Sequence, residues 1–261
     1  MRVLMIGDIV GRPGRKAIRE ILPPLLQEYR PDLVVANGEN AAGGNGITAD
    51  IAGELLAAGI DILTMGNHVW DKREALALLD EDVRIIRPAN YPPGTPGRGH
   101  TLVKVKEGLQ VGIINLSGRV FLSSLECPFR LGRCLAEKIG AVTRIILVDF
   151  HAEATSEKVA LGWYLDGLVS AVIGTHTHIQ TADARVLPGG TAYITDVGMT
   201  GPRDSVLGVK TELVIKKFLT QLPVRFEVAG GTIQLEAVLI DIDPHTGRAE
   251  GIQRLQRYGP V

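Results

Sequence analysis

Polar residues that can bind metal ions or transfer protons follow five largely apolar segments of the sequence. The tripeptide Gly66-Asn67-His68 comes directly after residues 60–65, a run typical of a buried strand that ends in a tight turn. The other four segments are followed or ended by Asp8, by Glu39 and Asn40, by His151, and by His176 and His178. Because open α/β sheets carry their sites at the carboxyl ends of their strands, a mostly parallel sheet would bring these side chains to one edge.

These side chains combine carboxylate or amide oxygens with imidazole nitrogens. Mixed oxygen and nitrogen ligation suits iron, manganese or zinc, whereas sites for calcium or magnesium alone rarely include several imidazoles. The candidate ligands outnumber those that one tetrahedral ion needs, which favours two ions that share a carboxylate. Such a pair clamps the attacking and leaving oxygens of a phosphoryl displacement and makes a bridging water a hydroxide near neutral pH. The residue types therefore predict a hydrolase that acts on phosphate esters.

Taken singly, each of these residues also has an ordinary structural explanation. Asp8 could cap the segment that follows it, Glu39-Asn40 could belong to a turn, and His151 could be a buried structural histidine. The coincidence of five strand ends favours a shared site over these explanations. His100 follows a glycine-rich loop and His245 lies in a turn sequence, so we leave both outside the predicted site.

Alternating strand and helix patterns position these residues. Strands are predicted at residues 3–6, 33–36, 60–65, 101–105, 109–116, 144–150, 168–173, 191–195, 232–242 and 248–255. Helices are predicted at residues 17–26, 48–58, 131–139, 156–164 and 213–219, with a further helix from about residue 71. Within this pattern we expect a loop at residues 9–15, a kink or break at Pro23-Pro24, and Thr48 as an N-cap. We also expect His176 and His178 to share one face of an extended backbone.

Composition limits the class of protein. The chain has 261 residues, and 28 Lys and Arg nearly balance 29 Asp and Glu, which argues against broad binding to duplex nucleic acid. No apolar stretch reaches the roughly 20 residues of a membrane span, and the first residues lack the apolar core of a signal peptide. Cys127 and Cys134 lack a metal-type spacing and suit one face of a helix as reduced thiols. We therefore expect a single cytoplasmic domain over residues 1–261.

The order of these motifs resembles the calcineurin-like metallophosphoesterases, and most closely their YmdB-type branch. The motifs are Gly7-Asp8, Gly38-Glu39-Asn40, Gly66-Asn67-His68, His151 and Gly174-Thr175-His176-Thr177-His178. The first motif lacks the histidine usual in the superfamily, and the second has Glu-Asn where Asp is usual; both departures are the norm in that branch. Residues 7–14 and 196–202 also resemble the branch, so the likeness runs over nearly the whole chain.

The resemblance implies a four-layer α/β/β/α sandwich with two mixed sheets, and phosphodiesterase activity on 2′,3′-cyclic nucleotides. It also implies two metal ions, commonly iron, with manganese and zinc as alternatives. By motif, the first ion would be bound by Asp8, Glu39, Asn40 and His178. The second would be bound by Glu39, Asn67, His151 and His176, with Glu39 bridging. His68 would give a proton to the leaving alkoxide.

Other functions remain open at this point. A phosphomonoesterase or phosphoprotein phosphatase would use the same centre, and a regulatory protein could hold the metal for structure alone. A nucleotide-binding switch is weakly supported, because the glycine-containing loop at residues 11–14 matches neither phosphate-loop pattern. We expect Asp71 to orient His68, and Arg12, Arg15 or Arg119 could meet phosphate. The expected partner is a small phosphodiester, with no membrane and a possible homo-oligomer.

Overall fold

The computed structural model describes residues 1–259, except for the side chain of Glu107. The helices are α1 (Gly11–Tyr29), α2 (Ala49–Ala57), α3 (Ala75–Glu81), α4 (Pro128–Gly140), α5 (Thr155–Tyr164) and α6 (Thr211–Thr220). The first seven strands are β1 (Arg2–Ile6), β2 (Asp8–Ile9), β3 (Leu33–Asn37), β4 (Ile62–Thr64), β5 (Ile85–Ile86), β6 (His100–Lys104) and β7 (Gln110–Ser117). The others are β8 (Ile146–His151), β9 (Ala171–Thr175), β10 (Arg185–Val186), β11 (Ala192–Ile194), β12 (Met199–Pro202), β13 (Ile233–Ile242) and β14 (Ala249–Tyr258).

The strands form two mixed sheets. The first has the order β2-β12-β13-β1-β3-β4-β5, with β14 paired to β13. Strands β1, β3, β4 and β5 are parallel, whereas β13 runs antiparallel to β1 and β14. The second has the order β10-β11-β9-β8-β7-β6, with a parallel centre and antiparallel edge strands.

Three apolar layers hold the sheets and helices together. Successive strand residues point to opposite faces, so Val3 and Met5 pack between the sheets while Leu4 and Ile6 pack beneath the helices. Phe150, on the outer face of the second sheet, packs in a third layer with residues of α4 and α5. Strands buried on both faces explain the nearly continuous apolar runs in the sequence. The predicted four-layer α/β/β/α sandwich is confirmed.

Helix α1 corrects two local predictions. It runs without a break through Pro23 and Pro24, and it begins at Gly11, inside the predicted loop. Both prolines are exposed, and the helical N–H groups that they lack would have bonded carbonyls of Arg19 and Glu20, which are also exposed. Water can reach those carbonyls, so packing of the apolar face keeps the helix continuous.

Other local predictions had mixed outcomes. Thr48 is the N-cap of α2, and its Oγ1 accepts the N–H of Ile51 at 3.3 Å, as expected. Cys127 is the N-cap of α4, so it does not share a helix face with Cys134, although both are free thiols. The short strands β2, β5, β10 and β12 were not predicted.

No helix in the described part of the chain is long and apolar enough to cross a membrane. The single domain and the cytoplasmic location stay predictions.

Candidate metal centre

The predicted ligands meet where edges of the two sheets come together. Asp8, Glu39 and Asn67 follow β1, β3 and β4 of the first sheet, whose parallel strands end on the same side. His151 ends β8 and His176 follows β9, which are parallel neighbours in the second sheet. The expectation that one edge of a mostly parallel sheet would carry all of these side chains is therefore wrong. The site lies across two sheets.

Glu39 occupies the middle of the cluster. Its Oε1 lies 3.1 Å from His151 Nε2 and accepts a hydrogen bond from Asn40 Nδ2 at 3.2 Å. Its Oε2 accepts the backbone N–H of His68 at 2.9 Å. Glu39 thus contacts both groups of predicted ligands, the position that a bridging carboxylate requires.

The first group of atoms converges on His151 Nε2. Asn67 Oδ1 and His176 Nδ1 each lie 3.0 Å from it. The potential ligand atoms of Glu39, His151 and His176 all lie within 4.8 Å of one another. Two imidazole nitrogens, an amide oxygen and a carboxylate therefore face one point, a donor set that fits a transition-metal ion.

The second group contains Asp8, Asn40 and His178. His178 Nε2 lies 3.8 Å from Asp8 Oδ1 and 3.3 Å from Asn40 Nδ2. Asp8 is fully buried, and its Oδ1 has no hydrogen-bond partner among the described residues. A buried carboxylate oxygen without a donor is costly unless a cation binds it, so Asp8 fits a metal ligand. Asn40 turns its Nδ2 towards His178, so its side-chain amide would have to rotate to bind a metal ion through Oδ1.

Charges in the cluster strongly shift the pKa values of its members. Burial opposes ionisation of both His151 and Glu39, but their mutual attraction prevails; the pKa of His151 rises to about 9 and that of Glu39 falls to about 2. Burial raises the pKa of Asp8 to about 6. Burial and the repulsion of His151 lower the pKa of His176 to about 3, so its imidazole is neutral, as a ligand must be.

Neighbouring groups hold the outer nitrogens of the three histidines. Thr175 Oγ1 donates to Asp149 at 2.7 Å, so it accepts from His151 Nδ1 at 3.0 Å. Nδ1 of His178 donates to the carbonyl of Leu207 at 3.0 Å, and His176 Nε2 lies 3.0 Å from Glu153 Oε2. The inner nitrogens, which are His151 Nε2, His176 Nδ1 and His178 Nε2, are therefore left to bind a cation. Sequence reasoning did not predict these partners. Glu153 follows His151 by two residues and Thr175 precedes His176, and this closeness in sequence was the only signal that could have indicated them.

The backbone of the His176–His178 segment differs from the expected extended form. β9 ends at Thr175, and φ is 102° at His176 and 63° at His178. Between them, Thr177 donates its N–H and Oγ1–H to Asp196 Oδ2, which also accepts from the buried Lys158 at 2.7 Å. Left-handed φ values at two non-glycine residues cost roughly 1–3 kcal/mol each, so this network must hold the turn.

Gly66 leaves room for the cluster. A Cβ at this position would lie 2.3 Å from His151 Nε2 and 2.4 Å from Glu39 Oε2. Any larger residue would displace one of these two groups.

His68 is the most exposed of the predicted site histidines, with 39% of its side chain accessible against 18% for His176 and 13% for His178. Its Nδ1 lies 2.8 Å from Asp71 Oδ2, as expected from the sequence. Asp71 also accepts from Asn45 Nδ2 at 2.9 Å, which orders the turn ahead of α3 and accounts for the later start of that helix. Arg15 pairs with Glu54 at 3.0 Å, whereas Arg12 and Arg119 are exposed.

Comparison with known proteins covers nearly the whole chain. Residues 4–255 match the sequence model of the YmdB-like protein family. The 2′,3′-cyclic-nucleotide 2′-phosphodiesterase of Bacillus subtilis (strain 168) is 54% identical over 255 residues, which are 98% of this chain and 96% of that protein.

Two solved structures are also similar. A hypothetical protein from Thermus thermophilus has a TM-score of 0.94 and 44% identity, with both chains fully covered. A novel phosphatase from Mycoplasma pneumoniae has a TM-score of 0.94 and 34% identity, over 99% of this chain and 93% of that one.

Proposed function

The chain belongs to the YmdB-like protein family, and from this we propose that it is a metal-dependent phosphodiesterase that hydrolyses 2′,3′-cyclic nucleotides. The observation that carries the proposal is the convergence of Glu39, Asn67, His151 and His176 around one point, beside the partnerless Oδ1 of Asp8. The name of the Bacillus subtilis relative supplies the substrate class.

The two groups of ligands support two ions, with iron as the first choice and manganese and zinc as alternatives. Asp8, Glu39, Asn40 and His178 would hold one ion. Glu39, Asn67, His151 and His176 would hold the other. When bound, such ions supply Lewis-acid stabilisation of the phosphodiester and lower the pKa of the attacking water.

His68 is the general acid in this proposal. In the relative's reaction the ester bond at the 2′ oxygen breaks, and the departing oxygen needs a proton. Asp71 accepts Nδ1–H of His68, which keeps Nε2 for the proton that goes to that oxygen. A partly exposed imidazole can be reprotonated from water between turnovers. The products are a 2′-hydroxyl and a 3′-phosphate.

A phosphomonoesterase is the second candidate, because one solved relative is described as a phosphatase. The same ligands would serve a monoester, and only the shape of the pocket would differ.

One set of assays separates the two candidates. Protein purified under reducing conditions is analysed for metal content and assayed with 2′,3′-cyclic AMP, bis(p-nitrophenyl) phosphate and p-nitrophenyl phosphate. We expect kcat/KM to be highest for the cyclic nucleotide. A higher value for the monoester would support the phosphatase instead. Inactivity on all three substrates with full metal occupancy would support a regulatory protein.

A further inference from the structure

A cavity of about 340 Å³ adjoins the candidate metal centre and has a wall in common with it. His178 and Leu207 form that wall; His178 turns Nε2 towards Asp8 and Asn40 on the metal side. The volume lies within the range of roughly 300–1,000 Å³ that is typical of small-molecule sites.

The opposite side of the cavity comes from the ends of β13 and β14. Because β13 runs antiparallel to β1, Gln234 lies beyond the carboxyl end of β1, at the same edge as Asp8. Tyr258 is the partner of Gln234 in the β13–β14 ladder. The cavity and the metal centre therefore lie at the same edge of the first sheet.

Arg203 gives the cavity a cationic, planar surface. Its Cζ lies 4.3 Å from the centre of the Tyr258 ring, and Arg203 forms no ion pair with the described residues. The tyrosine ring contacts the guanidinium without neutralising its charge. A guanidinium plane of this kind is a surface on which nucleobases stack.

Gln234 provides a polar side chain with no partner. It is only 9% exposed and lines the cavity, yet its amide makes no hydrogen bond with the described residues. By contrast, the adjoining Gln256 donates to Glu236 at 2.6 Å. The residue is nearly buried while its amide stays solvent-accessible, so the amide offers both a donor and an acceptor to the polar edge of a base.

We propose that this cavity binds the nucleoside part of the substrate, with the base stacked on Arg203 and its edge bonded to Gln234. The inference rests on the proposed function for the position of the phosphate, which would lie on the metal side of His178. It goes further by assigning a recognition site to residues outside the metal centre. The metal centre would bind any phosphodiester, and the cavity would favour those that carry a base.

The test compares substrates with and without a nucleoside. Gln234→Met keeps the side-chain length but removes the amide, and Arg203→Met keeps an unbranched aliphatic side chain but removes the guanidinium. Each is expected to raise KM for 2′,3′-cyclic AMP about tenfold while kcat stays within about twofold, because Arg203→Met removes the stacking surface and Gln234→Met removes the hydrogen bonds to the base edge. For bis(p-nitrophenyl) phosphate, which has aromatic rings but no base edge, Gln234→Met should leave both constants unchanged.

Binding of the product gives a readout independent of turnover. Calorimetric titration with adenosine 3′-monophosphate should show a Kd about tenfold higher in both variants than in the wild type. Inhibition by inorganic phosphate, which has no base, should be unaffected. Arg185→Met is the matched control, since Arg185 stacks on Trp163 at 5.5 Å and does not line the cavity. Circular dichroism and Tm confirm that each variant folds.

The outcomes separate this inference from the proposed function. If the wild type cleaves both diesters but the variants keep the wild-type KM and Kd, the cavity does not bind the nucleoside. If Arg203→Met raises KM for both diesters equally and also weakens inhibition by inorganic phosphate, Arg203 contacts phosphate and the inference is wrong. If the wild type cleaves only the nitrophenyl diester, the proposed function fails, and adenosine 3′-monophosphate binding alone decides whether the cavity holds a nucleoside.

Discussion

His68 Nδ1 and Asp71 Oδ2 lie 2.8 Å apart at the rim of the candidate metal centre. The two residues are one turn apart, and the carboxylate is also held by Asn45. The contact leaves one imidazole nitrogen for proton transfer. In the proposed function His68 transfers the proton and is not a metal ligand.

Replacing His68 should therefore separate turnover from metal binding. His68→Ala is expected to keep the metal content and to lower kcat roughly 10²- to 10⁴-fold on 2′,3′-cyclic AMP, the usual contribution of a general acid. Asp71→Ala should cause a smaller fall. With bis(p-nitrophenyl) phosphate the loss should shrink, because p-nitrophenolate leaves without a proton. His245→Ala is the control, because His245 lies in the turn after β13, outside the predicted site, and its replacement should leave kcat unchanged. Loss of metal from His68→Ala would make that residue a ligand.

Replacing a predicted metal ligand, unlike replacing His68, should lower the metal content of the protein. Asn67→Ala and His176→Ala each remove a group that lies 3.0 Å from His151 Nε2, so the purified variants are expected to contain less metal than the wild type. Elemental analysis and titration against a chelator measure the change. Wild-type metal content in both variants would refute the ligand assignment.

Gly66→Ala tests how closely the backbone approaches the cluster. Its Cβ would overlap His151 Nε2 and Glu39 Oε2, so we expect weaker metal binding and a lower free energy of unfolding. Gly53→Ala is the matched control, because a Cβ there meets nothing within 4 Å inside α2. It should stabilise the protein by up to about 1 kcal/mol, the difference in helix propensity. The prediction is wrong if the two variants bind metal equally well and have the same free energy of unfolding.

The Lys158–Asp196 pair is expected to contribute strongly to stability because both side chains are buried. Lys158→Met leaves the Asp196 charge without a cation, which should cost roughly 3–5 kcal/mol in urea unfolding. The turn that carries His176 and His178 depends on Asp196, so metal affinity should fall as well. Arg133→Ala, which breaks the exposed pair with Glu137, should change stability by less than about 1 kcal/mol. A small effect of Lys158→Met would show that the turn holds without its cation.

The stability of the EDTA-treated protein should decline between pH 6.5 and 9. Glu39 and Asp8 outweigh the effect of burial and raise the pKa of His151 from 6.5 to about 9. Protonated His151 therefore makes its full contribution to the free energy of unfolding below pH 6.5, and this contribution is lost as the pH rises through 9. Below this window the raised pKa of Asp8 and the lowered pKa of His176 act in opposite directions, so the test is confined to pH 6.5–9. Urea unfolding across this range measures the slope, which His151→Gln should reduce. Metal binding replaces the proton on His151, so the affinity for metal should rise with pH. Unfolding free energies that do not change between pH 6.5 and 9 would contradict the first expectation, and a metal affinity that does not change with pH would contradict the second.

Much of the candidate site could be predicted from local sequence. Apolar runs identify buried strands whatever sheet they join, so the residues after them were correctly placed at strand ends. The types of those residues then indicated metal ligation, because carboxylates and imidazoles retain their chemistry in any fold. The contact between His68 and Asp71 was also predictable, since a separation of three residues keeps them within reach in a turn.

Contacts between distant segments were decided only by the tertiary structure. The division of the strands between two sheets, the left-handed backbone at His176 and His178, and the pairing of Lys158 with Asp196 all depend on such contacts. The continuity of α1 through Pro23 and Pro24 likewise reflects packing that outweighs local propensity. The cavity is a stronger case, because Arg203, Gln234 and Tyr258 form no motif and become neighbours only through the pairing of β13 with β12 and β14. The sequence alone thus determined the chemistry available at each strand end, whereas the fold decided which of those groups face one another, because that depends on pairing between segments far apart in the chain.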